Sequence, residues 1–291
     1  MQWGLCMAGI IADTRTMNTS DGIRLHYLEA GAGQPLVMIP GWSQTAEQFR
    51  FQLEGLSDRY RVIAVDMRGH GESSKPTHGY RIARLSKDVH ELLTALDLHE
   101  VVLLGHSMGA SIIWSYYDLF GPERLAKLII VDQVPVACTD LVWTDEEGIA
   151  ADVIFAPQAV SGLVDGCIEL AGPNGVQATK DSISGMVTAA CDPAVTAWMI
   201  ERNLRMPRSL AATLLLNHCT QDWRDLIPRI TLPTLIVGGR ISIFPWESQQ
   251  WIHECITGSR LEIFEEHEGG QHFMFVEGAA KFNDIVANFV Q

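Results

Sequence analysis

Residues 101–121 read VVLLGHSMGASIIWSYYDLFG. A short apolar run, Val101–Leu104, meets the pentad Gly105-His106-Ser107-Met108-Gly109, and apolar residues at helical spacing then continue to Gly121. Strand, tight turn and helix in that order predict a parallel-sheet unit with Ser107 at its bend. The spacing also has a chemical reading. In a G-x-S-x-G turn the serine takes a strained backbone conformation that lifts its hydroxyl above the strand end, and the flanking glycines let neighbouring backbones pass closely. The hydroxyl then meets the N-terminus of the following helix, where developing negative charge is favoured. Ser107 is therefore a candidate nucleophile. The plain alternative is a glycine-rich turn without catalysis.

The same cadence extends in both directions. PLVMIPG (35–41) and RVIAVDMRG (61–69) read as strands that end in turn residues, YRIARLSKDVHELLTALDL (80–98) as a helix and LAKLIIVD (125–132) as a strand buried on both faces. The pattern returns at TLIVGG (234–239), WESQQWIHECI (246–256), SRLEIFEE (259–266) and AAKFNDIVANFV (279–290). Strands alternating with helices predict an α/β fold, a doubly wound and mostly parallel sheet. Between residues 136 and 229 the strand cadence stops, and segments such as EEGIAADVIFAPQAVSGLVDGCIEL carry helical spacing. The expected division is a core of residues 17–135 and 230–291 with a helical cap, 136–229, inserted between two strands.

Composition narrows the partners. The 291 residues are 47% hydrophobic, enough for one large core, and carry a formal net charge of −14. Nucleic acid and anionic membrane would both repel so acidic a surface, so a small-molecule substrate is expected and neither of those partners is. No apolar run approaches the ~20 residues that span a bilayer. The opening MQWGLCMAGIIADTRTM lacks a basic start and makes a poor signal peptide, and Met17 leaves open whether residues 1–16 belong to the native chain. Six scattered cysteines form no C-x-x-C pair, which fits reduced thiols in the cytoplasm rather than a disulfide framework. Association into a homo-oligomer is left open.

With LLGHSMGAS (103–111) the chain resembles the α/β-hydrolase superfamily, and the resemblance runs from Ile23 to the end. IPGWSQTAEQF (39–49) looks like the loop that supplies one oxyanion-hole amide, with Pro40 where most families have His. The match implies that the backbone N–H groups of Trp42 and Met108 form the hole. DMRGHGESS (66–74) is similar to the superfamily's turn after the fourth strand and reads as structural. The superfamily's histidine follows a glycine-containing loop before the last helix, a place that His272 in GGQHFMF fits better than His267.

The acid departs from the pattern. Most members carry Asp in the turn after the strand that TLIVGG matches, but VGGRISIFPWE (237–247) has Ile241 there and no carboxylate before Glu247. A variation within the superfamily hangs the acid on the strand after the nucleophile's helix, and Asp132 ends that strand, at the sheet edge where ligands gather. Asp132 is thus the expected acid. Glu247, or a Ser–His dyad without an acid, stays as the alternative. Trp143, Phe155, Met186 and Trp198 of the insertion are candidate substrate contacts, although helical spacing suits them equally to its core.

The resemblance implies a carboxylic ester or lactone hydrolase acting on a small, largely apolar substrate through a Ser107–His272–Asp132 triad and an acyl-enzyme, with no cofactor and no metal. A second expectation is a cofactor-free dioxygenase that cleaves a 3-hydroxy-4-quinolone-type ring with a His–Asp pair, since PGW and GPERLAKLIIVDQ are similar to segments of those enzymes. Met108 stands where they have His. A third is a non-catalytic ligand-binding member of the fold.

Overall fold

The computed structural model describes residues 12–139 and 143–291. Among them lies an eight-stranded sheet: β1 (Asp13–Asn18), β2 (Arg24–Ala30), β3 (Pro35–Ile39), β4 (Arg61–Asp66), β5 (Val101–His106), β6 (Leu125–Val131), β7 (Thr234–Gly239) and β8 (Arg260–Phe264). Their spatial order is β1-β2-β4-β3-β5-β6-β7-β8. The pairs from β4 to β8 are parallel, whereas β1 with β2 and β2 with β4 are antiparallel.

The central strands are continuous apolar runs because the sheet is covered on both faces. Alternate residues serve the two cores. Leu103, Leu128 and Ile130 join one cluster, while Val102, Leu104, Ile129 and Val131 join the other. The first core receives α2 (Ile82–Ala95) and α3 (Met108–Phe120), through residues such as Leu85, Val89, Ile113 and the fully buried Trp114. The second receives α1 (Arg50–Leu56) and, near the C-terminus, helices taken up below.

The chain leaves the sheet after β6 and returns at β7. Between them run α4 (Asp145–Phe155), α5 (Val160–Ala171), α6 (Gly175–Ser184), α7 (Pro193–Asn203) and α8 (Arg208–Cys219). α4 opens on a capping box, with Thr144 Oγ1 accepting from the Glu147 amide and Glu147 accepting from the Thr144 amide. α7 opens on Asp192, whose carboxylate accepts from the Ala194 amide ahead of Pro193 at the first helical position. After β7 come α9 (Trp246–Cys255), then α10 (Met274–Glu277) and α11 (Ala279–Val290), which bring Phe275, Phe282 and Val286 onto the second core.

The core boundary expected at Met17 falls inside β1, which begins at Asp13. DTRTMN is polar and exposed over most of its length, so it shows no apolar alternation. Its pairing with β2, from Asp13 opposite Glu29 to Asn18 opposite Arg24, makes it a strand.

Candidate active site

β5 and β6 are in parallel register, with His106 opposite Val131. The next residues, Ser107 and Asp132, therefore emerge side by side where the two strands end. Both have left-handed backbones, at φ +52° and +51°, a conformation costly for residues with a Cβ. The ladder holds them there: the Ser107 amide donates to Val131 O and the Asp132 amide to Val237 O, each at 2.8 Å.

The glycines around Ser107 are steric necessities. A Cβ on Gly105 would lie 2.4 Å from the Gly109 carbonyl carbon and oxygen, and one on Gly109 would lie 2.3 Å from Ile39 O and 3.1 Å from Pro40 O. That second approach also presses the turn after β3 against the start of α3. Gly41 is part of the same contact, since a Cβ there would lie 3.1 Å from His106 Nδ1. Residues 41–44 close into a tight turn, Gln44 N donating to Gly41 O at 3.2 Å. Neither the Trp42 amide nor the Met108 amide has an acceptor among the described residues. The Trp42 indole is half-buried and donates to Ala211 O of α8 at 2.8 Å.

His272 lies in the loop between β8 and α10, almost fully buried. Its Nδ1 donates to Asp132 Oδ2 at 2.6 Å. Asp132 is fully buried and receives two further donors, the Gly239 amide on Oδ1 at 3.3 Å and the Ser242 hydroxyl on Oδ2. All three neighbours donate, so both oxygens of the buried carboxylate have hydrogen-bond partners. Behind the histidine, His106 Nε2 donates to His272 O at 2.8 Å. Burial, and next the nearby His272, holds His106 well below its ordinary imidazole range, so it serves as a neutral strut. Phe244 packs its ring edge-on to His272, with centroids 5.6 Å apart.

Of the sequence-derived candidates, the structure thus places Asp132 on His272 and Ser107 beside Asp132. The alternatives stand apart. His267 is exposed in a short 3-10 turn, and Glu247 is exposed on the first turn of α9. The four proposed substrate contacts have other partners. Phe155 is buried with Val136 and Ala151 and meets Trp251 edge-on at 5.4 Å, and Trp143 packs on that cluster beneath the Arg224 guanidinium, 4.7 Å away. Met186 and Trp198 pack on the second core, Trp198 between the guanidinium groups of Arg50 and Arg202 at 5.9 and 5.5 Å. Among the described residues no hydrogen bond or ring contact joins any of the four to Ser107 or His272.

Ser242 and His106 were not singled out from sequence. Ser242 had a usable signal, since it directly follows Ile241 in the slot that lacks its acid. His106 was hidden by its place in the variable position of the elbow. Among the described residues no group of three or more His, Cys, Asp or Glu side chains could hold a metal ion. No helix among them is long and apolar enough to cross a membrane.

A family profile described as the alpha/beta hydrolase fold matches residues 34–279. The protein belongs to that family. A Synechocystis sp. protein provisionally named a non-heme chloroperoxidase is 32% identical over 277 residues, covering 92% of this chain and 95% of its own. Among solved structures, an esterase from Exiguobacterium antarcticum superposes with a TM-score of 0.85 at 29% identity, covering 96% of this chain and 99% of its own. A bromoperoxidase from Bacillus anthracis shares the fold, with a TM-score of 0.82, 22% identity and coverage of 96% and 99%. As a family member the chain is an enzyme of the α/β-hydrolase superfamily.

Proposed function

We propose that the protein hydrolyses small, largely apolar carboxylic esters or lactones with Ser107 as nucleophile. The observation that carries this reading is the 2.6 Å hydrogen bond from His272 Nδ1 to Asp132, made beside a serine held in the left-handed elbow. With its proton committed to Nδ1, the neutral ring keeps Nε2 free as a base. Nε2 takes the Ser107 proton as Oγ bonds to the carbonyl carbon. The oxyanion that forms is met by the Trp42 and Met108 amides, both without an acceptor among the described residues, and losing one such donor costs about 2.7–4 kcal/mol of transition-state stabilisation. The tetrahedral intermediate collapses as Nε2–H protonates the leaving alkoxide. Water, deprotonated by the same nitrogen, then frees the acid and restores Ser107.

The chloroperoxidase name of the 32% relative favours a second outcome at the same serine. Hydrogen peroxide replacing water on the acyl-enzyme would release a peracid instead of an acid, leaving the first half-reaction unchanged. Intact mass after treatment with a fluorophosphonate tests the common core. Wild type should gain one adduct and Ser107→Ala none. An unlabelled, folded wild type overturns the reading, and oxygen uptake with 3-hydroxy-4-quinolones that survives Ser107→Ala but not His272→Ala would replace it with the dioxygenase.

A further inference from the structure

DMRGHGESS reads from sequence as a purely structural turn, yet the structure connects it to the candidate active site. His70 is fully buried in that turn. Its Nδ1 lies 2.9 Å from Arg68 O, which can only accept, so the ring proton is on Nδ1. Nε2 is then a lone-pair acceptor, and the Ser43 amide donates to it at 3.1 Å. Ser43 directly follows Trp42 and has φ +61°, so its conformation has to be imposed from outside.

The helical insertion imposes it from the other side. Ser43 Oγ donates to Asn203 O at 2.7 Å and accepts from Arg208 Nη2 at 2.7 Å. Arg208 also donates to Asn203 O, Met206 O and Thr179 Oγ1. Among the described residues it has no carboxylate partner, and its guanidinium lies 5.8 Å from the centre of the Trp42 ring. The turn that carries the Trp42 amide is thereby clamped between the core, through His70, and the insertion, through Arg208.

We propose that His70 and Arg208 are positioning residues that hold Ser43 in its left-handed conformation and so fix the direction of the Trp42 N–H. The proposal rests on the ester-hydrolase reading, in which that N–H stabilises the oxyanion. A donor of this kind contributes only in the transition state, so its misdirection lowers kcat and spares KM.

The test is steady-state hydrolysis of p-nitrophenyl acetate by the whole chain, with folding checked by circular dichroism. Losing a donor outright costs roughly 10²–10³ in kcat, so His70→Phe, which keeps a ring but no acceptor, should lose ~10²-fold in kcat with KM within about threefold. His70→Gln restores an acceptor and should recover about tenfold of that loss. Arg208→Met, which leaves the His70 contact intact, should lose ~10-fold in kcat at constant KM and supplies the same test should His70→Phe fail to fold. A folded variant with wild-type kcat, or one in which only KM rises, overturns the proposal. A wild type that hydrolyses no ester removes the parent reading instead. The clamp is then read from the His70 ring nitrogens by ¹⁵N NMR, where Nδ1 protonated and Nε2 accepting sustains it and the opposite tautomer ends it.

Discussion

Asp132→Asn is the sharpest perturbation the site offers, because all three groups around the carboxylate are donors. An asparagine amide has one acceptor oxygen and one NH₂ group, so each orientation sets the NH₂ against a donor. With oxygen at the Oδ2 place, the NH₂ faces the Gly239 amide, donor against donor. With NH₂ there, His272 Nδ1 must become an acceptor and its ring proton moves to Nε2, which disables the nitrogen needed as base. Either way the imidazolium formed in the transition state loses its counter-charge. The wrong tautomer in a Ser-His-Asp triad costs about 10⁴ in turnover, or about 5 kcal/mol. Stability should fall by about 1–3 kcal/mol, the cost of one buried donor left unsatisfied, since the substitution removes a buried charge rather than orphaning one. The assay is kcat on p-nitrophenyl acetate per mole of folded protein, with urea unfolding as the control. A folded Asp132→Asn variant that keeps a tenth or more of wild-type kcat refutes the reasoning. So does an equivalent loss in Glu247→Gln, because Glu247 is exposed and lies outside the site's hydrogen bonds.

Three further outcomes are expected. Ile241→Asp, added to Asp132→Asn, should regain roughly 10-fold or more of the lost kcat, since the Ile241 amide donates to Gly270 O at 3.1 Å and so runs beside the loop that carries His272; no gain would show that residue 241 cannot reach Nδ1. Gly109→Ala drives a Cβ to 2.3 Å from Ile39 O, and overpacking of this kind costs about 1–3 kcal/mol, so the urea midpoint should fall and ester turnover should fall with it as the turn after β3 is displaced. Acid should destabilise the fold through His70 and His218, both pushed down to about 4 by burial; for His70, Asp66 pulls upward while Arg208 and Lys75 push further down. Each is neutral in the fold but takes a proton in the unfolded chain below about pH 6.5, so its contribution is complete above that pH and lost as pH falls towards 4, roughly 3 kcal/mol per site. Urea unfolding at pH 7, 5.5 and 4.5 should show the decline, and His218→Leu should flatten it; equal stability at all three values would contradict the burial argument.

How much of this was legible in the chain depends on which interactions wrote the pattern. The inner strands and the helices 246–255 and 279–290 show plainly, because a residue buried on a sheet face or helix stripe must be apolar whatever its neighbours. β1 does not show, since an exposed edge strand is specified by its partner's backbone and not by its own side chains. α6, GVQATKDSIS, is equally hard to read. Its mean pattern is polar, and the buried Thr179 satisfies its hydroxyl within the helix by donating to Gly175 O. In the site, the elbow was visible because the backbone there demands glycine at two places. The pairing of Asp132 with His272 could be reasoned only from a gap elsewhere, because 140 residues separate the two partners. The clamp on Ser43 is invisible in the sequence, since it is made of backbone carbonyls, one imidazole lone pair and a guanidinium with no acidic partner among the described residues.

On the proposed reading, an acid at the end of β6 instead of in the turn after β7 has a physical consequence for the site's shape. A carboxylate in the β7 turn would commit that turn to one geometry and to polar neighbours. Here the turn contributes only the Ser242 hydroxyl and the Gly239 amide to Asp132; Arg240 turns to Glu265, 3.0 Å away, and Ile241, Ile243 and Phe244 are apolar. Phe244 lies edge-on to His272, while Ile241 and Ile243 remain exposed, 39% and 43%, beside it. Asp132 is meanwhile anchored to the sheet itself, its amide donating to Val237 O at 2.8 Å. On the proposed reading, support of Asp132 by the sheet and the apolar run of Ile241, Ile243 and Phe244 go together, and that run suits an uncharged acyl or alkoxy group better than an ionic one. Exchanging Ile243 for Asp should accordingly penalise anionic esters and leave Asp132, on its own strand, undisturbed; comparing kcat/KM for p-nitrophenyl butyrate and p-nitrophenyl hemisuccinate reads the effect, and an unchanged ratio would separate the turn from the substrate's path.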